Sequence, residues 1–387
     1  MRLGEAFYRR KVAAAQETLA RRELDGLLIL NHHQIYYLVG FFHTPTERPV
    51  GLYVPQKGNP ILFVPKLEEE YVHEGAWAPE VEVYFEFPGV IHPIQWMGER
   101  LAAQGFSAAR LGFEGSLGVS AHQRLGEAMP GVAWVEAGDI IANLRLVKDP
   151  EEIELHRKAA FYSDWMLEEG LRLIRSGGRP SEIEIEQAMA SGVIRKMQAE
   201  LNPVVVVSML AGALVCSGPR SAFPHGLPSP RRVAPDENLI LSVGCAVGGY
   251  FAESERTFIL GEPTPEQRKR YEAARAAQEI GTQALVPGAL CCDVNKKCLS
   301  SIREAGLGKY IKHRQGHGIG IQNHEPPWIE DGDATVLRPG MVVSSEPGIY
   351  VPNQGGYRIS DTVLITAAGS ERLTRFPRDL ASVTIPI

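Results

Sequence analysis

The amino-acid sequence predicts two domains, an α/β domain followed by an α+β domain. A chain of 387 residues is too long for one compact core. Helical and β-rich segments alternate over about the first 143 residues, which is typical of an α/β layer. A charged stretch at residues 144–160, LRLVKDPEEIELHRKAA, separates this part from a second one with its own helices and strands. We therefore predict domains at residues 1–147 and 148–387.

The first domain is predicted from its hydrophobic periodicity. Residues 5–24 have the spacing of an amphipathic helix, and GLLIL at 26–30 has that of a buried strand. We predict that IYYLVGF at 35–41 continues the β structure, and that GLYV and PILFVP form two further strands.

The second domain is predicted to begin with a capped helix. Asp149 suits the N-cap and Pro150 the first turn. Helical segments extend to about residue 200 and return at 265–305, while β-rich segments dominate 204–260. The strands MVVSSEPGIYV and YRISDTVLIT follow. This order fits two helix layers beside a curved mixed sheet.

Composition excludes several classes of protein. The hydrophobic content of 44% and the charged content of 22% are ordinary for a globular protein. The net charge of -6 gives no basic surface that would attract nucleic acid or an anionic membrane. The longest apolar run, at 204–215, is too short to span a bilayer. Five cysteines without zinc-type spacing predict reduced thiols and a cytoplasmic location.

Residues 239–260, LILSVGCAVGGYFAESERTFIL, carry the main chemical signal. They predict a hairpin that turns at Gly248 and Gly249. Alternation along a strand puts Glu253 and Glu255 on one face and Ser254 on the other. Two neighbouring carboxylates repel, so they require a cation, a proton or a basic substrate between them.

Other polar groups stand in strand or strand-edge contexts, namely His225 in PHGLPS, His317 in GHGIG, and Glu346 in VVSSEPGIY. Each has a structural explanation as well. A buried glutamate could pair with Arg256 or Arg358, a lone histidine near prolines is often structural, and GHGIG could be a turn. The combination of these residues, in this order, favours a functional site.

From about residue 144 to the end, the sequence resembles the pita-bread family of methionine aminopeptidases, proline-specific peptidases and creatinases. PHGLPS, GGYFAESERTF, GHGIG, NHEPP, LRPGMVVSSEPGIYVP and GGYRISDTVLIT carry the resemblance. The first part, with NHHQIYYLVGF, resembles the larger two-domain members. The resemblance implies a pita-bread fold for the second domain.

The family's metallopeptidases bind two metal ions through two aspartates, one histidine and two glutamates. The matching positions here are Ser242, Glu253, His317, Glu346 and Ser360. Serine replaces a carboxylate twice and is a poor ligand for hard divalent cations. The resemblance therefore predicts no dinuclear centre. A single ion such as Mn, Co or Zn, bound by Glu253, His317 and Glu346, stays open.

Around the hairpin the resemblance is closer to creatinase, the metal-free branch. It implies that His225 moves the proton, that Glu255 and Glu346 hold a cationic nitrogen, and that Arg48 grips the substrate carboxylate across a homodimer. Further polar residues are predicted to line the substrate site: Glu253, His317, His324, Ser242 and Ser360. These implications predict a creatinase-like, metal-independent hydrolase that needs no cofactor and cleaves a C–N bond in a small guanidino or amidine compound.

Two alternatives stay open. One is a hydrolase like the Xaa-Pro aminopeptidases and dipeptidases, with a degenerate or single-metal site. The other is a non-catalytic pita-bread protein that uses the cleft for binding, and the cluster of His225 with three glutamates argues against it. A lyase on the same fold is conceivable, because a fold does not fix the chemistry.

Overall fold

A computed structural model describes residues 3–75, 77, 80–201 and 211–386. The chain divides into two compact units, one ending at Arg145 and the other starting at Leu146. The prediction of an α/β domain followed by an α+β domain is confirmed. The predicted boundary between residues 147 and 148 stays a prediction.

The N-terminal unit is a six-stranded mixed sheet with helices. Its helices are α1 (Glu5–Arg21), α2 (His32–Val39), α3 (Glu69–Gly75), α4 (Pro93–Leu101), α5 (Val119–Ala128) and α6 (Asp139–Leu146). Its strands are β1 (Gly26–Ile29), β2 (Gly51–Pro55), β3 (Ile61–Pro65), β4 (Glu80–Tyr84), β5 (Arg110–Phe113) and β6 (Ala133–Glu136). The order in the sheet is β4-β3-β2-β1-β5-β6, with both pairings of β2 antiparallel and the others parallel. The core lies where Leu28, Tyr53 and Phe63 meet Met97 and Leu111.

One element of this unit differs from the prediction. Residues 35–41 do not continue a strand, because α2 covers most of them. The side chain of Asn31 accepts hydrogen bonds from the backbone N–H groups of His33 and Gln34, at 3.1 and 3.2 Å, and so caps the helix. Gly40, with a φ of 73°, ends it. A short apolar run that is buried all round fits a helix as well as a strand, and the cap decided between them.

The C-terminal unit places long helices against a larger mixed sheet. Its helices are α7 (Pro150–Arg175), α8 (Glu182–Glu200), α9 (Pro265–Ala284), α10 (Cys291–Glu304) and α11 (Leu380–Val383). Its strands are β7 (Ala211–Ser217), β8 (Glu237–Val247), β9 (Tyr250–Leu260), β10 (Gly316–Gly318), β11 (Glu325–Ile329), β12 (Val342–Ser345), β13 (Gly348–Val351), β14 (Gly355–Arg358), β15 (Ser360–Thr366), β16 (Gly369–Arg372) and β17 (Thr384–Ile385). The main sheet has the order β11-β10-β12-β15-β9-β8-β7, β16 and β17 pair with β15 and β9, and β13 and β14 form a separate ribbon.

The predicted capped helix after residue 148 is confirmed. Asp149 and Glu152 form a capping box at the start of α7, and Pro150 occupies its first turn. Of the predicted β-rich stretch at 204–260, residues 204–210 lie outside the described residues, and β7 begins at Ala211.

The hairpin is also confirmed. Strands β8 and β9 join at Gly248 and Gly249, whose φ angles of 56° and 82° suit a two-residue turn that requires positive φ. On β9, Ser254 donates a hydrogen bond of 2.8 Å to Asp164 on α7. Glu253 and Glu255 face the opposite side, toward a cleft.

No helix within residues 3–75, 80–201 or 211–386 is long and apolar enough to cross a membrane. All five cysteines are free thiols.

Candidate active site

The C-terminal unit contains a cleft with a volume of about 950 Å³. Several residues predicted for the site line it together: His225, Ser242, Glu253, Glu255, His324 and Glu346. His317 and Ser360 are fully buried, and each contacts the carboxylate of Glu253. Arg48 lies in the N-terminal unit, where it pairs with Glu47 and with Glu86. The structure therefore brings together eight of the nine predicted residues.

A row of three side chains crosses the sheet at the centre of the cleft. Ser242 on β8 and Ser360 on β15 are the two cross-strand neighbours of Glu255 on β9. Ser242 Oγ donates a hydrogen bond to Glu255, and Ser360 Oγ donates one of 2.9 Å to Oε1 of Glu253. Both hydroxyls thus serve as donors to carboxylates.

Glu255 forms a buried ion pair with Arg358. The Nε atom of Arg358 lies 2.7 Å from Oε2 of Glu255, and the two side chains are only 5% and 6% exposed. Burial raises the pKa of Glu255 and Arg358 opposes this rise, whereas the pKa of Arg358 itself is raised by Glu255 against the effect of burial. Because arginine stays protonated in proteins, the pair is best understood as a buried cation that requires an anion. The other arginine considered, Arg256, pairs with Asp361 instead.

Glu253, His317 and Glu346 form a second charged group. Nε2 of His317 lies 3.2 Å from Oε1 of Glu346 and 3.8 Å from Oε2 of Glu253. Burial acts to lower the pKa of His317, but the two carboxylates outweigh it and raise this pKa to about 9. Burial raises the pKa of Glu253 to about 8. Burial acts in the same direction on Glu346, but His317 outweighs it and the pKa of Glu346 falls to about 2. A protonated His317 thus supplies the positive charge that the neighbouring carboxylates of Glu253 and Glu346 require.

His324 completes a set of ligand atoms for a metal ion. Its ring lies over that of His317, with centroids 3.8 Å apart, and burial lowers its pKa to about 4. One ligand atom each from Glu253, His317 and His324 lies within 4.8 Å of the others. Nδ1 of His317 contacts the backbone oxygen of Gly318 at 3.0 Å, which leaves Nε2, the atom that faces Glu346 and Glu253, as the one that would bind the metal. This set fits one divalent ion that accepts imidazole and carboxylate ligands.

A second ion does not fit the residues present. The hydroxyls of Ser242 and Ser360 already donate to carboxylates, and Glu255 is neutralised by Arg358. Within the described ranges, no other group of three histidine, cysteine or carboxylate side chains has metal-binding spacing.

His225 stands in a turn at the cleft, and Arg358 holds that turn. The Nη1 atom of Arg358 donates a hydrogen bond of 3.0 Å to the backbone oxygen of Pro224, the residue before His225. One buried guanidinium therefore fixes both Glu255 and the turn that presents His225. His225 is exposed and lines the cleft together with Glu255 and Glu346.

Sequence reasoning missed five polar residues that line the cleft, which are His313, Arg314, Glu186, Asn323 and Glu330. His313 contacts the hydroxyl of Tyr350 through Nε2, at 2.8 Å. Its position four residues before His317 in HRQGHGIG was a usable signal, since it places a second histidine beside the same strand. Glu186 lies on α8, where its spacing resembles that of any solvated helix face, so nothing in the sequence distinguishes it.

Comparison with known proteins identifies two families along the chain. Residues 154–367 match the model of metallopeptidase family M24, and residues 11–147 match the creatinase/prolidase N-terminal domain. The Xaa-Pro dipeptidase of Pyrococcus furiosus is 32% identical over 358 residues, which cover 92% of this chain and 95% of that protein.

Solved structures agree with these matches. The Xaa-Pro dipeptidase from Bacillus anthracis superposes with a TM-score of 0.84 at 27% identity, covering 98% of this chain and 100% of that one. Dipeptidase PepE from Mycobacterium ulcerans gives a TM-score of 0.86 at 28% identity, with 100% of both chains covered. The predicted pita-bread fold and two-domain branch are confirmed.

Two predictions are wrong. The chain was expected to be a creatinase-like, metal-independent hydrolase, but its relatives over nearly the whole length are named as dipeptidases. It was expected to need no cofactor, but the matched family is one of metallopeptidases and the cleft contains a metal-binding set. Ser242 and Ser360 argue only against a dinuclear centre, and the single ion left open in the sequence analysis had Glu253, His317 and Glu346 as its ligands. The structure instead brings ligand atoms of Glu253, His317 and His324 together.

The two matched regions, the relatives that cover almost the whole chain and the superposed structures lead to one conclusion: this protein belongs to metallopeptidase family M24, in the branch that carries a creatinase/prolidase N-terminal domain.

Proposed function

We propose that this protein hydrolyses the peptide bond of short peptides of the Xaa-Pro class, and that one divalent metal ion bound by Glu253, His317 and His324 supports the reaction. The observation that carries the proposal is this metal-binding set in a cleft that also holds His225 and Glu346. The names of the relatives support the substrate class.

The residues around the candidate metal ligands would each have a separate role in the reaction. A bound divalent ion would supply Lewis acidity toward a carbonyl or a water molecule. His225 would exchange protons with the attacking water and the leaving amine, because it is exposed in the cleft. Glu346 stays ionised, and its carboxylate lies 3.2 Å from Nε2 of His317, beside the position that the ion would take. Arg358 fixes the turn that carries His225.

The test is metal loading combined with turnover. Protein stripped with a chelator is incubated separately with Mn²⁺, Co²⁺ and Zn²⁺, its metal content is measured, and hydrolysis of Ala-Pro is followed. We expect one tightly bound ion per chain and activity that depends on it. Glu253→Gln and His317→Ala should each lower both the metal content and the activity.

The control variant is His122→Ala, which removes a histidine from the N-terminal unit and should change neither quantity. Loaded protein that leaves Ala-Pro and other Xaa-Pro peptides intact would contradict the proposed activity. Metal content that survives His317→Ala would contradict the assignment of the ligands.

We further propose that the protein is a cytoplasmic homodimer in which Arg48 acts at the partner's cleft. Family resemblance is the main support. A second support is the segment next to Arg48, where Glu86 pairs with it and where Phe85, Val90 and Ile91 are exposed. Exposed apolar groups clustered around a charge are typical of an interface.

Sedimentation analysis tests the dimer. Val90→Glu should shift the protein toward the monomer, because a charge would then be buried at the interface. Val119→Glu, at another exposed valine of the same unit, is the matched control and should leave the mass unchanged. A wild-type monomer at micromolar concentration would contradict this part of the proposal.

A further inference from the structure

Arg314 is a cation of the cleft that has no carboxylate partner. It lines the cavity together with His324 and Glu346, and it is half-buried. Within the described residues, no aspartate or glutamate oxygen forms a salt bridge with its guanidinium. A partly buried cation without an anion costs free energy, so such a group in a binding cleft suits an anionic ligand.

The guanidinium of Arg314 is held in a fixed orientation. Its carbon Cζ lies 4.5 Å from the centroid of the Trp328 ring, and its Nε atom donates a hydrogen bond of 3.1 Å to the backbone oxygen of Gly316. Stacking on tryptophan and a bond from Nε leave the two Nη groups available as a fork of donors. Such a planar fork matches the two oxygens of a carboxylate.

The same contacts place the fork next to the metal-binding set. Trp328 on β11 is the cross-strand partner of His317 on β10, and Arg314 precedes that strand by two residues. Directly opposed residues of two strands lie on the same face with their Cβ atoms about 5 Å apart.

The other cationic groups of the cleft are engaged or neutral. Arg358 is committed to Glu255 and to the backbone of Pro224. His313 contacts Tyr350, and burial lowers its pKa. His324 belongs to the candidate metal-binding set. Arg314 is therefore the permanent charge in the described part of the cleft that can serve an anionic ligand.

We propose that Arg314 binds the C-terminal carboxylate of the substrate and so selects dipeptides over longer chains. This inference rests on the proposed peptidase function, and it adds a residue that determines which peptides are accepted. If the carboxylate is bound beside the metal set, only one residue fits between it and the scissile bond, because two extended residues span about 7 Å. A longer peptide would place an uncharged amide at the guanidinium.

The experiment compares Ala-Pro with its C-terminal amide on metal-loaded wild type and on Arg314→Gln. Glutamine keeps a planar group on the tryptophan and removes the charge. We expect the wild type to favour the acid over the amide by roughly 10- to 100-fold in kcat/KM, the usual value of a charge-assisted hydrogen-bond pair. In Arg314→Gln the ratio should fall to about one, through a higher KM for the acid.

Calorimetric binding of Ala-Pro to metal-free protein gives a readout that does not need turnover. Arg314→Gln should bind the acid at least roughly 10-fold more weakly than the wild type, and both should bind the amide equally. Arg314→Lys serves as a second variant that keeps the charge without the fork, and it should retain a smaller preference for the acid. Arg172→Ala, at an arginine whose side chain is 70% exposed, is the control and should match the wild type.

The outcomes separate the two proposals. If the wild type binds Ala-Pro with the expected loss in Arg314→Gln but does not cleave it, the proposed function fails and the carboxylate site stands. If the wild type cleaves Ala-Pro and Arg314→Gln keeps the full preference for the acid, the carboxylate site fails alone. A wild type that neither binds nor cleaves Ala-Pro overturns both.

Discussion

Glu255→Gln tests the buried ion pair that organises the cleft. The substitution keeps the shape of the side chain and removes its charge, while Arg358 stays protonated and 5% exposed. Removing one partner of a buried pair costs about 3–5 kcal/mol of free energy of unfolding, because the other charge stays buried without its anion. Arg358 keeps its hydrogen bond to Pro224, and Glu346 contributes a favourable field, so we expect the lower end, about 3 kcal/mol.

The assay is urea unfolding in the presence of a chelator, so that metal binding does not contribute to stability. The control is Glu5→Gln, which removes the same charge from the exposed Glu5–Arg9 pair, where both side chains are 58% exposed. That pair spans one helical turn and should contribute only about 0.3–0.5 kcal/mol. In a double variant, Glu255→Gln with Arg358→Met, the loss should be smaller than the sum of the single losses, because no charge is left unpaired. If Glu255→Gln changes stability no more than Glu5→Gln, the argument for a buried cation that requires its anion is refuted.

Four further predictions concern other parts of the chain. His225→Ala should lower turnover of Ala-Pro by roughly 10²–10⁴-fold and leave the melting temperature almost unchanged, since the ring is exposed in the cleft; a stability loss equal to the activity loss would argue for a structural role. Mn²⁺ at 100 times its dissociation constant should raise the free energy of unfolding by about 2.7 kcal/mol in the wild type, and Glu253→Gln should abolish this rise. His156 is fully buried, and burial lowers its pKa to about 3, so between pH 6.5 and 3 the unfolded chain binds a proton at this residue and the folded chain does not. The free energy of unfolding should therefore fall by up to about 1.4 kcal/mol per pH unit as the pH drops from 6.5 toward 3. His156→Gln should remove this part of the slope in pH-dependent urea unfolding. Asp149→Ala should cost about 0.5–2 kcal/mol through loss of the cap of α7 while the KM for Ala-Pro stays the same.

Much of the fold follows from local sequence signals. The cap at Asp149, the paired glycines of the hairpin and the alternation of Glu253, Ser254 and Glu255 all act within a few residues of one another. Residues 35–41 show the limit of such signals, because their full burial erases the periodicity that distinguishes a helix from a strand. There the short-range cap at Asn31 was the better guide.

The candidate site was predictable in its members but less so in its connections. A strand pattern indicates that two glutamates share a face, yet it does not tell that Arg358 neutralises one and His317 faces the other. That division depends on pairings between strands more than 60 residues apart in the chain, which no local pattern encodes. The orientation of the Arg314 guanidinium depends in the same way on Trp328, which comes from a strand further along the chain.

The row of Ser242, Glu255 and Ser360 restricts the order in which mutations can change this site. Introducing aspartate at 242 alone would set two carboxylates directly opposite each other on neighbouring strands, and like charges at that spacing destabilise a sheet. Glu255 would first have to become neutral, which in turn would leave Arg358 without its anion unless the new aspartate took over. The three positions are therefore epistatic: a route to or from a site with more carboxylate ligands passes through a destabilised intermediate unless two positions change together.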